Sequence, residues 1–132
     1  MTIFKRAVVA YKRPGSSTGK AKLVADFNAP MPGADDQVAI YFDGIELIAV
    51  PFSEFTQGLL NPDVYKYVTP KNFVKINFDT MTIKVIRKGM NLADLSSFNG
   101  VEVKLIMGAD TAVENIFMEP ISGKRLVYTR SD

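Results

Sequence analysis

Histidine, cysteine and tryptophan are all missing from the 132 residues. Without histidine the commonest general base near neutral pH and the commonest zinc ligand are both gone. Nucleophilic triads built on histidine are excluded with it. Without cysteine there is neither a disulfide framework nor a thiolate metal site. That absence does not fix a compartment, since bacterial exported proteins also manage without bridges. Long apolar runs are lacking too. The run Ala7-Val8-Val9-Ala10-Tyr11 is closed by Lys5-Arg6 and Lys12-Arg13, too short for the apolar core of a signal peptide. Nothing approaches the roughly 18 apolar residues of a membrane-spanning helix. The expectation is a soluble chain without a membrane span or signal peptide, cytoplasmic by default and exported only if a leader has been removed.

The composition is 47% hydrophobic and 23% charged, the balance of a globular protein rather than a disordered one. The length suits one domain, residues 1–132, able to bury a core unaided. Period-two alternation dominates, the mark of half-buried strands. It is clearest from Val38 to Val50, around Asp43-Gly44, the favoured pair for a two-residue turn with positive φ at both positions. A turn there pairs Phe42 with Ile45, Ile40 with Leu47 and Val38 with Ala49, all on one face. A second hairpin over Phe73 to Lys88 pairs Phe78 with Met81, Ile76 with Ile83 and Val74 with Val85. Its other face carries Asn77, Thr82, Lys75 and Lys84. Further strands are expected at Ile3–Arg13, Lys20–Phe27, Val64–Val68, Val101–Met107, Ala112–Met118 and Arg125–Arg130, separated by Gly-, Pro-, Asn- and Asp-rich turns. Helical periodicity reaches at most a short turn at Ser53–Leu60 and another at Asn91–Phe98. The spacing predicts an all-β fold, an antiparallel β-sandwich or closed β-barrel of about eight to ten strands.

Charge is nearly balanced at +2 but laid out in blocks. Residues 1–22 hold Lys5, Arg6, Lys12, Arg13, Lys20 and Lys22 and no acid. Residues 23–65 hold Asp26, Asp35, Asp36, Asp43, Glu46, Glu54 and Asp63 and no base. Residues 66–88 are basic again, with Asp79 as their one acid. The near-cancelling total favours basic strands paired beside acidic ones. It argues against nucleic acid, whose binders carry a clear cationic excess. A basic face for phosphate or an anionic polymer is the alternative.

Four features invite a chemical reading. Gly15-Ser16-Ser17-Thr18-Gly19-Lys20 is one residue short of a phosphate-binding loop, and Ala21 stands where a magnesium-binding hydroxyl belongs; a hairpin loop is expected instead. Asp35 and Asp36, in a Gly/Pro loop, are candidate calcium ligands whose spacing matches no calcium motif, so no metal site and no cofactor are expected. Tyr65, Lys66 and Tyr67, with Lys71, Phe73 and Lys75 nearby, interleave aromatics with bases. Such a face can stack rings while its lysines hold anions, and Tyr65, Lys66, Tyr67, Lys71 and Lys75 are the candidate ligand-binding residues. The competing reading turns both tyrosines into the core and the lysines out to water. Nine Phe and six Met fit a sandwich core or a barrel holding a lipid. Catalysis has only carboxylates, Lys, Tyr or Ser to draw on, and none stands in a catalytic pattern.

Several stretches between Ala21 and Asp110 carry a likeness. They are Lys22-Leu23-Val24-Ala25-Asp26-Phe27, Asp36-Gln37-Val38-Ala39-Ile40, Val50-Pro51-Phe52-Ser53-Glu54-Phe55, Tyr65-Lys66-Tyr67, Val74-Lys75-Ile76-Asn77-Phe78, and Gly89-Met90-Asn91-Leu92-Ala93-Asp94-Leu95 leading into Val101-Glu102-Val103-Lys104-Leu105. Their order resembles an uncharacterised β-domain that occurs, often in tandem copies, in bacterial exported proteins. The resemblance implies a β fold and assigns no activity and no site residues. The functional expectation is a non-enzymatic binding or interaction module with a protein or polymer partner. It would be a surface, adhesive or assembly component working through an exposed face, or self-associating through sheet edges. The alternatives are a β-barrel carrier of a small apolar ligand and a carboxylate-dependent enzyme acting on carbohydrate.

Overall fold

A computed structural model describes residues 2–11, 19–90, 101–117, 119–122 and 125–129, with side chains described over 19–90 and 101–117. Two antiparallel sheets stack face to face as a β-sandwich. At the centre of the larger sheet lie β1 (Thr2–Tyr11), β2 (Gly19–Phe27), β8 (Thr82–Met90), β7 (Asn72–Asn77) and β6 (Val64–Val68). The two-residue β5 (Thr56–Gln57) closes the β6 flank, and β12 (Arg125–Thr129) and β11 (Glu119–Ser122) close the β1 flank. The smaller sheet runs β10 (Asp110–Ile116), β9 (Val101–Met107), β3 (Gln37–Phe42), β4 (Ile45–Pro51). Both sheets keep free edges, so the barrel alternative is not realised.

The core follows from alternation. Ala21, Leu23, Ala25 and Phe27 of β2 are buried, as are Val74 and Ile76 of β7 and Ile83 and Val85 of β8. They meet Val38, Ile40 and Phe42 of β3 and Val101, Val103, Leu105 and Met107 of β9 in one cluster. Burying apolar area at about 25 cal/mol per Å² makes this the main stabilising term.

The β7–β8 hairpin has the expected register, with Val74 facing Val85, Ile76 facing Ile83 and Lys75 facing Lys84, but Phe78 and Met81, expected as its last pair, lie in a four-residue turn between the strands. The turn is closed by Asn77, whose Oδ1 accepts from the N–H groups of Asp79 (2.9 Å) and Thr80 (3.1 Å). The first hairpin departs from expectation. Asp43 and Gly44 take φ of 48° and 77° as their turn requires, and Phe42 pairs with Ile45. Beyond Tyr41↔Glu46 the register slips, so Ile40 faces Ile48 and Val38 faces Val50 rather than Ala49. Leu47 is the extra residue of a β-bulge, which lets consecutive Leu47 and Ile48 both reach the core, at 1% and 4% exposure.

Among the described residues, twelve strands replace the eight to ten expected, the additions being β5 and β11. β5 is too short to show alternation, and β11 contains Pro120, which a strand tolerates at an edge. The helical turn expected at Ser53–Leu60 shrinks to a 3-10 turn at Phe52–Glu54. The one expected at Asn91–Phe98, and most of the Gly15–Lys20 loop, lie outside the described residues.

Asp43 also joins two elements. Its Oδ1 accepts from the Glu102 N–H at 2.6 Å, and its own N–H donates to the Glu102 carbonyl at 2.7 Å. Asp43→Ala loses the carboxylate acceptor and a residue tolerant of positive φ, and should cost about 1–2 kcal/mol. Asp43→Asn keeps an oxygen acceptor, the amide Oδ1, and the tolerance of positive φ, and should cost less than half as much. Urea midpoints of the two variants check the order.

Candidate functional site on the outer face of the larger sheet

Each strand that buries one set of side chains must present the alternate set outward. On the described strands β2, β8, β7 and β6 of the larger sheet, lysine recurs among the outward side chains. Lys20 and Lys22 come from β2, Lys66 from β6, Lys75 from β7, and Lys84 and Lys88 from β8, with Lys71 contributed by the β6–β7 turn. Lys66 faces Lys75 and Lys75 faces Lys84, so three lysines form one cross-strand row. In the next row Val68 faces Phe73 and Phe73 faces Ile86, with Lys22 opposite Ile86. The Lys84 ammonium lies 6.0 Å from the Phe73 ring centroid, a cation–π distance.

This arrangement overturns the expected pairing of basic with acidic strands. β2, β8, β7 and β6 are successive neighbours in one sheet. Of the acids in residues 23–65, only Asp26 lies on a strand of that sheet. Glu46 belongs to the smaller sheet, and the others sit in turns and crossings.

The five candidate ligand-binding residues separate by face. Tyr65 faces Ile76 and Tyr67 faces Val74, placing both rings on the inner side. There Tyr65 packs 4.9 Å from Phe52 and 5.8 Å from Phe78, and Tyr67 lies 5.7 Å from Phe55. Phe27 and Phe52 complete this group through edge-on contacts with Phe78 at 5.8 and 6.0 Å. Aromatic pairs of this kind each contribute about 0.5–1.5 kcal/mol beyond area burial. Lys66, Lys71 and Lys75 are exposed on the opposite side. The structure therefore groups the lysines on the outer side and packs the tyrosine rings against inner aromatics, although Tyr67 also lines the groove that Lys66 and Lys75 share.

Two hollows shape the lysine face. A groove of about 1020 Å³ runs between the outer side of β6–β7 and the loop after β5. Lys66, Lys75, Asn77 and Val68 line it from the sheet, and Leu59 and Leu60 from the loop. A second hollow, about 340 Å³, is lined by Val68, Phe73, Ile86, Lys20, Lys71 and Lys88. Val68 lines both hollows, and at 63% exposure it joins them into one surface.

The loop over the groove is held by its own hydrogen bonds. The Gly58 N–H donates to the Val64 carbonyl (2.7 Å), the Val64 N–H to the Asn61 carbonyl (3.2 Å), and the Gln57 side-chain amide to the Pro62 carbonyl (2.9 Å). A Cβ at position 58 would stand 2.5 Å from the Asn61 carbonyl oxygen, so this turn closes only around glycine. Leu59 and Leu60, at its tip, are 100% and 103% exposed. Sequence reasoning misses them because they fall inside the helical turn expected there. It misses the full lysine row because the hairpin pattern pairs only Lys75 with Lys84.

Asp35 is exposed. The Asp36 Oδ2 accepts from the Gly33 N–H at 2.9 Å, and the Asp36 carbonyl accepts from the Phe52 N–H at 2.8 Å. Asp36 thus closes its own loop and ties it to the crossing after β4. Among the described residues no group of three or more His, Cys, Asp or Glu could hold a metal ion, and no helix is long and apolar enough to cross a membrane. Compared with protein families, with curated proteins and with solved structures, the chain matches none.

The lysine row has a stability consequence. Like charges directly opposite one another destabilise a sheet by about 0.2–1 kcal/mol per pair. Lys75→Glu replaces two repulsive pairs by two attractive ones and should raise stability by about 1 kcal/mol in low salt. Thermal unfolding at two ionic strengths checks it: the gain should shrink as salt is added.

Proposed function

We propose that this protein is a non-enzymatic binding module that engages an extended anionic partner through the outer face of its larger sheet. The observation that supports this reading is the row Lys66–Lys75–Lys84. Folding gains nothing from stacking three like charges, because the same outward positions would serve the sheet better as threonine or alternating charges. Around the row Lys20, Lys71 and Lys88 extend the positive field across a second hollow. A surface dominated by one sign raises the local concentration of partners of the other sign and speeds their arrival. An exposed basic face agrees with the surface, adhesive or assembly role that the sequence suggests. The carrier alternative rested on a barrel lumen, which two open-edged sheets do not provide.

The test uses poly-L-glutamate and heparin as extended anionic probes. Both should bind the protein at low salt and weaken steeply as salt rises. The triple variant K66Q/K75Q/K84Q should lose about tenfold or more in affinity for each, as expected when several exposed charges act together. Absence of binding at low salt, or equal binding by the triple variant, contradicts the proposal.

A further inference from the structure

The β5–β6 loop adds something that charge alone does not explain. Leu59 and Leu60 are consecutive in this loop and fully exposed, and no described residue covers them. Single exposed apolar residues are ordinary, but here the backbone beneath them is fixed by hydrogen bonds and by the need for glycine at position 58. The leucines are therefore presented in a set position. They share their groove with exposed Val68 and with Lys66 and Lys75, and among the described residues Glu54 is the one carboxylate on its lining.

From this juxtaposition we infer that the lysine face is a membrane-docking surface, on which the Leu59–Leu60 tip enters the headgroup region of an anionic bilayer while the lysines contact lipid phosphates. The inference rests on the anionic-partner reading and names the partner. Two observations favour a bilayer over an acidic polypeptide. An extended peptide covers about one row of side chains, whereas the lysines run from β6 across β7 and β8 to β2, three strand spacings or about 14 Å. A planar anionic surface engages that whole width at once. Further, Leu59 and Leu60 line the groove yet keep their side chains fully exposed, and an acidic peptide held by the lysines' charge would leave them in water. A bilayer takes them into its interfacial layer, where apolar burial and attraction to anionic headgroups act together.

The chain contains no tryptophan, so Leu60→Trp places a single indole fluorophore at the tip. Vesicles of phosphatidylcholine with about 30% phosphatidylglycerol, which give the negative surface potential of a charged leaflet, are the probe, with pure phosphatidylcholine and poly-L-glutamate beside them. The indole emission of the L60W variant should shift to the blue with the anionic vesicles and stay unmoved with poly-L-glutamate. The L59S/L60S variant should unfold like the native protein and keep its poly-L-glutamate affinity, yet lose about tenfold or more of its vesicle affinity. Emission unmoved by vesicles, with poly-L-glutamate still bound, overturns the membrane inference and leaves the anionic-partner reading standing. Equal vesicle binding by L59S/L60S, or equal binding to pure phosphatidylcholine, also overturns it. Loss of both vesicle and poly-L-glutamate binding in the native protein overturns the two together.

Discussion

Burial of every second side chain between two stacked sheets is the constraint on which the rest of this molecule depends. In β6 it turns Tyr65 and Tyr67 toward the core and leaves Lys66 no direction but outward. In β7 the same rule buries Val74 and Ile76 and presents Lys75; in β8 it buries Ile83 and Val85 and presents Lys84. Antiparallel register then places those three lysines opposite one another. The basic face is thus a direct outcome of alternation and pairing, and it needs no special backbone geometry. The loop after β5 is different, because its shape depends on glycine at 58 and on hydrogen bonds that the alternation does not dictate.

How much of this is legible in the sequence depends on how local each signal is. The β7–β8 register is readable, since the apolar pattern selects it, but its turn is not: four residues, Phe78 to Met81, leave the strands and Met81 takes φ of 55°. At β3–β4 the turn residues are readable and the register is not. Leu47 and Ile48 are both apolar, and only the packed core reveals that both are needed inside, at the expense of a bulge. β5 escapes notice because two residues carry no period. The grouping of basic strands escapes because strand order is a non-local property. Five strands intervene between β2 and β8 along the chain, yet the two are neighbours in the sheet. Block charge along a chain does not say which blocks will lie side by side.

The division of the candidate residues follows from the same logic. An aromatic–basic alternation such as Tyr65-Lys66-Tyr67 has two faces by construction, so it can serve packing and binding at once. Its rings join Phe27, Phe52, Phe55 and Phe78 in closing one end of the sandwich. That packing also anchors the crossing Phe52–Glu54, from which β5 and the leucine-bearing loop depart. The inner aromatics therefore act on the outer face by fixing where its groove wall begins. The lysines in turn bring mild repulsion into the sheet. A fold that retains such repulsion at its surface while packing its interior well has the form expected when surface positions serve a partner rather than stability.

The central claim is that the outer face of the larger sheet is the binding surface. Lysine acetylation, followed residue by residue by mass spectrometry with and without poly-L-glutamate at low salt, tests it most directly. Lys104, on β9 of the smaller sheet, is the internal control. The account predicts that Lys66, Lys75 and Lys84 are protected in the complex while Lys104 reacts as before. Equal protection of all four, or protection confined to Lys104, would contradict it.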